Sequence, residues 1–223
     1  MSRSQFYERV LHPINVGLLA THYLHEDGSD WIEYRAQDFW VYFGLKAGLG
    51  LDYLMPLFDR GAGPEAADAF FAQEHQTSLG AEYWSWVKNQ AMEKTIDFGG
   101  RLTDPCRIQA DVIGTPKQLL YPPLDAPPWV EGSLPRLTSE VVRIIFSGEN
   151  LGQTTVRAEV TEGTLDQLSY KVYVDGEAGC SELADDARTF EQLVTPEVVY
   201  VILANRQYQP ENLIKYRVSV AQQ

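Results

Sequence analysis

The chain has 223 residues, 44% of them hydrophobic and 12% aromatic. That is enough apolar side chain for one large domain or two small ones, and it excludes a disordered chain. The formal net charge of −13 repels phosphate backbones and anionic lipid, so nucleic acid is excluded as a partner, and the acidity otherwise serves solubility.

No run of about 18 apolar residues is present, so no membrane span is expected. The opening MSRSQFYERVLH lacks the apolar stretch of a signal peptide. Read literally, with Met1 as the native start, this points to the cytoplasm.

In chain order, residues 5 to 25 read as helical, broken near Pro13. In DWIEYRAQDFWVYFGLKAG, Ile32, Ala36, Phe39, Phe43 and Ala47 recur at steps of three and four, which is one helix face. Asp30 and Glu33 fit a capping box at its start, and Gly48 and Gly50 fit its end. Pro64 suits a first helical turn, predicting a short helix over PEAADAFFAQE. SLGAEYWSWVKNQAMEK predicts another, with Tyr83, Val87 and Ala91 on one face and Trp84 beside them.

Beyond residue 104 the composition turns to strands. EVVRIIF, TTVRAEVTE, SYKVYVD, EVVYVILAN and IKYRVSVAQ are rich in Val, Ile and Tyr, several alternate apolar with polar, and SGEN, EGT and DGE separate them. The segment 115–137 carries Pro116, Pro122, Pro123, Pro127, Pro128 and Pro135 and reads as an ordered loop or interdomain wrap. The expectation is an α+β protein of two domains. An N-terminal all-α helical domain, 1–104, precedes an antiparallel β-sandwich, 105–223.

Chemistry is harder to find. His22 and His25 share a helix face at i, i+3, and Glu26 follows, which makes a weak set of zinc ligands. The zinc-peptidase helix instead needs HExxH, with the glutamate inside the pair, and HYLHE does not have it. Histidines at a helix end facing a turn explain the pattern as well. There is no GxSxG elbow, P-loop or GxGxxG, and neither cysteine has the surroundings of an activated thiol. No catalytic residue is nominated. Trp31, Trp40, Trp84 and Trp86 could line a ligand groove, although aromatics on helices more often pack a core. Cys106 and Cys180 are either free buried thiols or one disulfide, and their spacing leaves both open.

The pattern Tyr34-x4-Phe39-Trp40-x-Tyr42, then Gly48 and LDYLMPLF, resembles the helical region after the zinc site in secreted bacterial metallopeptidase-like proteins of the gluzincin type. AEYWSWVKNQAMEK resembles the last helix of that region. A β-sandwich often follows there, with a final hairpin similar to Val199–Asn205 and a closing strand similar to Tyr216–Val220. The resemblance stops short of the zinc ligands. One register places Glu33 in the segment of the family's downstream glutamate; the register set by Tyr34 and Phe39-Trp40 leaves Glu33 as a capping residue. On either, the two histidines are missing, and with them the Lewis acid and its activated water.

The resemblance implies the non-catalytic C-terminal part of a longer secreted protein, located outside the cell or in its envelope. Its helices would buttress an upstream catalytic domain through an exposed apolar patch, and the sandwich would serve as accessory or binding module. A Cys106–Cys180 disulfide would suit that setting; closing a loop of about 75 residues stabilises by on the order of 4 kcal/mol in the chain-entropy model. The alternatives are a stand-alone extracellular binding protein for a glycan, an apolar ligand or a protein, and a minimal zinc enzyme built on His22 and His25.

Overall fold

The computed structural model describes residues 39–40, 42–44, 48, 64–91, 116–122, 128–147, 153–163, 168–176, 179–182, 189–193, 198–209 and 212–222. Among the described residues, two helices, α1 (Pro64–His75) and α2 (Leu79–Ala91), precede nine strands, and residues 39–40 and 42–44 are helical as well. The strands are β1 (Lys117–Tyr121), β2 (Trp129–Leu134), β3 (Ser139–Phe146), β4 (Gln153–Glu162), β5 (Leu168–Gly176), β6 (Gly179–Glu182), β7 (Thr189–Leu193), β8 (Val198–Asn205) and β9 (Ile214–Gln222). They form a five-stranded sheet, β1-β3-β8-β5-β6, and a four-stranded sheet, β2-β9-β4-β7.

The inner faces of the sheets share one core. Val142, Ile144, Phe146, Val172, Val199, Val201 and Leu203 come from the larger sheet, and Leu134, Val156, Ala158, Tyr216, Val218 and Val220 from the smaller. Pairing is antiparallel except for β1, which runs parallel to β3. An entirely antiparallel sandwich is therefore corrected at that edge.

The expected N-terminal all-α domain is overturned as well. The described protein is mostly β, and its short helices form a layer on the sheet. The outward residues of the larger sheet show why. Val141, Tyr173, Tyr200, Ile202 and Ala204 are all buried, although they point away from the sandwich core. A strand buried on both faces reads as a continuous apolar run, and VVYVILAN in β8 is one. Helix α2 lies against β8. Tyr83, fully buried, sits beside Ser139 of β3. Gly80 lets the helix approach the backbone carbonyl of Arg206 so closely that a Cβ there would collide with it.

Local sequence explains each helix. Pro64 opens α1, and Ala67, Phe70 and Phe71 make its buried face. Ser78 caps α2 by accepting a bond from the Ala81 N–H at 3.1 Å. Leu79, Tyr83, Trp86 and Val87 then recur on the buried face. Asp68 ties the layer together: one carboxylate oxygen accepts from the Leu79 N–H at 2.8 Å, the other from the Tyr208 hydroxyl at 3.3 Å. None of the described large apolar residues left exposed, Leu120, Trp129 and Leu213, belongs to α1 or α2. The apolar docking patch expected on the helices is thus not among the described residues: Phe70 and Phe71 of α1 pack on Phe39, Trp40 and Phe43, and α2 lies against β8.

The stretch 115–137, expected to be loop, contains β1 and β2. Pro116, Pro122, Pro128 and Pro135 bracket these strands and leave their interiors free. Both strands lie at sheet edges, where a missing N–H costs least.

Candidate functional site

The outer face of the four-stranded sheet is the candidate binding face. Along β9, Ile214, Tyr216, Val218 and Val220 point into the core, so Lys215, Arg217, Ser219 and Ala221 point out. Strand register places Glu131 of β2 and Glu159 of β4 on either side of Arg217, and Trp129 opposite Ser219. Arg217 donates from Nε and Nη2 to Glu131 Oε1, at 2.8 and 2.5 Å. Its Nη1 lies 3.6 Å from Glu159, and Arg157 lies 3.4 Å from the same carboxylate. The Arg217 guanidinium also stands 5.4 Å over the Trp129 ring, and Trp129 remains 42% exposed. Further along, Lys215 pairs with Glu162 at 2.5 Å.

Magnitudes say what this ladder is for. Exposed ion pairs contribute about 0 to 1 kcal/mol each, and an exposed cation–π contact about 0.5 to 1 kcal/mol. Such terms add little to stability, yet they set the Arg217 guanidinium against a large exposed indole.

A second polar group lies between the sheets. Lys117, Glu140 and Tyr216 all turn inward where the edges β1 and β2 approach each other. The Tyr216 hydroxyl donates a very short hydrogen bond to Glu140. The Lys117 ammonium donates to Glu140 at 3.1 Å and to the Glu131 backbone carbonyl at 3.1 Å, and it lies 3.3 Å from the Tyr216 oxygen. Burial, then the Glu140 charge and its hydrogen bond, push the Tyr216 phenol far above its ordinary value, so it stays a neutral donor. Gly132 makes room, since a Cβ there would lie 2.5 Å from the Tyr216 hydroxyl oxygen. Every member has a partner, so the group reads as a clasp joining the two sheet edges.

Two other phenols are perturbed at the helix–sheet junction. Burial raises Tyr83, against a smaller lowering by Ser139. Burial and the Asp68 carboxylate raise Tyr208.

The residues singled out in the sequence fall elsewhere. Trp40 and Trp86 are 3% and 8% exposed. Trp40 stacks on Phe71 with centroids 5.8 Å apart, and Phe39 meets Trp86 edge-on, so both tryptophans pack the helical layer. Trp84 is half-buried, with Lys88 over its ring at 5.4 Å. Cys180 sits in β6 opposite Asp175. His22, His25, Glu26, Trp31 and Cys106 lie outside the described residues, as do the resemblance motif's Tyr34 and all of LDYLMPLF. The zinc set and the disulfide therefore remain expectations. Sequence reasoning passed over Trp129 because prolines surround it. Yet WVEGSL alternates, with Trp129, Glu131 and Ser133 on one side and Val130 and Leu134 on the other, which is the mark of a half-buried strand.

No family model matches this chain, and no curated protein matches it. Among solved structures it is similar to the pre-peptidase C-terminal domain of a collagenase from Bacillus anthracis, with a TM-score of 0.34 and 9% identity over 48% of this chain and 95% of that one. It is also similar to periplasmic inhibitors of g-type lysozyme from two bacteria. The Aeromonas hydrophila inhibitor has a TM-score of 0.31 and 13% identity, over 48% of this chain and 96% of that one. The Salmonella Typhimurium inhibitor has a TM-score of 0.31 and 10% identity, over 48% and 99%. At these scores the likeness assigns no function.

Proposed function

We propose that this chain is a non-catalytic binding module, the accessory part of an extracellular or cell-envelope protein, and that the sheet face around Trp129 is its binding surface. One observation carries the reading: an exposed indole is held in place by a charge ladder that is itself satisfied. Trp and Arg are the residue types enriched where binding energy concentrates, and a side chain already ordered loses less entropy on binding. An accessory domain and inhibitor proteins among the similar structures are compatible with such a module. The attribution of the larger protein to the metallopeptidase-like group rests on the Tyr34, Phe39-Trp40 and Tyr42 pattern.

The test is co-sedimentation of the full chain with isolated bacterial cell-envelope material, comparing wild type with Trp129→Ala. The expected result is binding by the wild type and a loss of at least about tenfold in the variant, the scale of one hot-spot residue. Equal binding by both proteins removes this face from the reading.

A further inference from the structure

The ligand class follows from what surrounds Trp129, given the reading of this face as the binding surface. Three kinds of partner can use an exposed indole. A protein surface would need a contiguous apolar centre, a charged polymer would need unbalanced charge, and a neutral sugar would need an aromatic platform bordered by planar polar groups.

The apolar centre is missing among the described residues. The other exposed large apolar side chains are Leu120 and Leu213. Leu120 belongs to β1, in the opposite sheet. Leu213 precedes β9, whereas Trp129 pairs with Ser219. Six residue steps along a strand separate them, roughly 20 Å at about 3.4 Å per step. Among the described residues, Trp129 is therefore the one large apolar side chain exposed on this face.

Among the described side chains around Trp129, the charges are paired. Glu131, Glu159 and Glu162 are met by Arg157, Lys215 and Arg217, each within an ion pair. A polyanion or polycation would have to break pairs that already exist.

The third partner fits. A pyranose ring has a face of C–H bonds, weakly positive at hydrogen, and a rim of hydroxyls. The face packs on the negative π surface of an indole. Arg217 stands over one face of the Trp129 ring, so the sugar would take the other, and its rim of hydroxyls would reach past the ring edge to the planar Arg217–Glu131 pair. Both Arg217 bonds to Glu131 go to Oε1, so the second carboxylate oxygen takes neither. The Arg217 fork keeps donors beyond the two it uses there. The ring and fork are held before any ligand arrives, which lowers the entropy lost on binding. We infer that this face binds a neutral glycan chain, with one sugar ring stacked on Trp129 and its hydroxyls met by Arg217 and Glu131.

The experiment uses the full chain and four soluble probes: cellohexaose, chitohexaose, maltohexaose and xylohexaose. Calorimetry and tryptophan fluorescence read the binding. At least one probe should bind, with an affinity that changes less than about twofold between low and high salt, because the probes are neutral and the charged side chains described around Trp129 are already paired. Trp129→Ala should weaken that binding by about tenfold or more, Trp129→Phe should retain part of it, and Trp84→Ala should leave it unchanged.

Binding that survives in Trp129→Ala overturns the inference. So does the absence of binding by all four probes at millimolar concentration. The envelope assay separates the two readings. If envelope binding depends on Trp129 but is abolished by protease treatment of the envelope and none of the sugars binds, the glycan inference fails and the binding face stands. If Trp129→Ala changes neither assay, both fail.

Discussion

Replacing Tyr216 with Phe removes one oxygen from the clasp between the sheets and leaves the ring in the core. Tyr216 is fully buried, and its hydroxyl donates to the Glu140 carboxylate. A hydrogen bond to a charged group contributes about 1.5 to 3 kcal/mol. Glu140 keeps Lys117 and has 14% of its side chain exposed, so water recovers part of the loss. The expected cost is about 2 kcal/mol at pH 7.5. The sign with pH follows from the raised phenol. Above pH 10 the unfolded chain loses the Tyr216 proton while the folded chain keeps it. The folded state then binds more protons, and stability falls as pH rises, by about 1.4 kcal/mol per unit. At pH 11 the advantage of Tyr over Phe should shrink to roughly 0.6 kcal/mol. Tyr83 and Tyr208 are raised too, but they are common to both proteins and cancel in the difference. Guanidinium unfolding of both proteins at pH 7.5 and 11 measures it. A gap that stays constant with pH, or no gap at pH 7.5, refutes the reasoning.

Gly132→Ala should destabilise by about 1 to 3 kcal/mol, as overpacking does, because its Cβ would press on the Tyr216 ring; the denaturation midpoint reads this. Asn205→Ala should cost about 2 to 4 kcal/mol in the same assay. Its fully buried amide donates to the Leu134 and Asn212 carbonyls at 3.0 and 3.1 Å and accepts from the Gln207 N–H at 3.0 Å, so three backbone groups lose their partner. Asp68→Ala should cost about 1 to 2 kcal/mol by uncapping α2 and releasing Tyr208, and should raise proteolytic cleavage within 64–91. Arg217→Lys should leave stability within about 0.5 kcal/mol, since the pairs are exposed. It should also shift Trp129 emission as the planar cation leaves the ring, and unaltered emission would count against the ladder as the device that holds Trp129.

Much of the local structure was legible because periodicity is local. The five strands expected from Val- and Ile-rich runs correspond to β3, β4, β5, β8 and β9. Pro64 and the 83-87-91 spacing placed both helices. The short β6 and β7 were too brief to register, and β1 and β2 were hidden by the prolines at their ends.

The amino-acid order alone determined the five long strands, the two helices and the net charge of −13. Tertiary structure decided the rest, because the relevant partners are distant in the chain. Aromatic helices suggested a separate domain, and only the burial of β8 on both faces shows that they cover a sheet. Tyr216 meets Lys117 across 99 positions and Glu140 across 76, a conjunction no window of sequence contains. Trp129 became a surface anchor through the register of an edge strand. A slip of one residue would have turned its indole into the core, because side chains alternate across a strand.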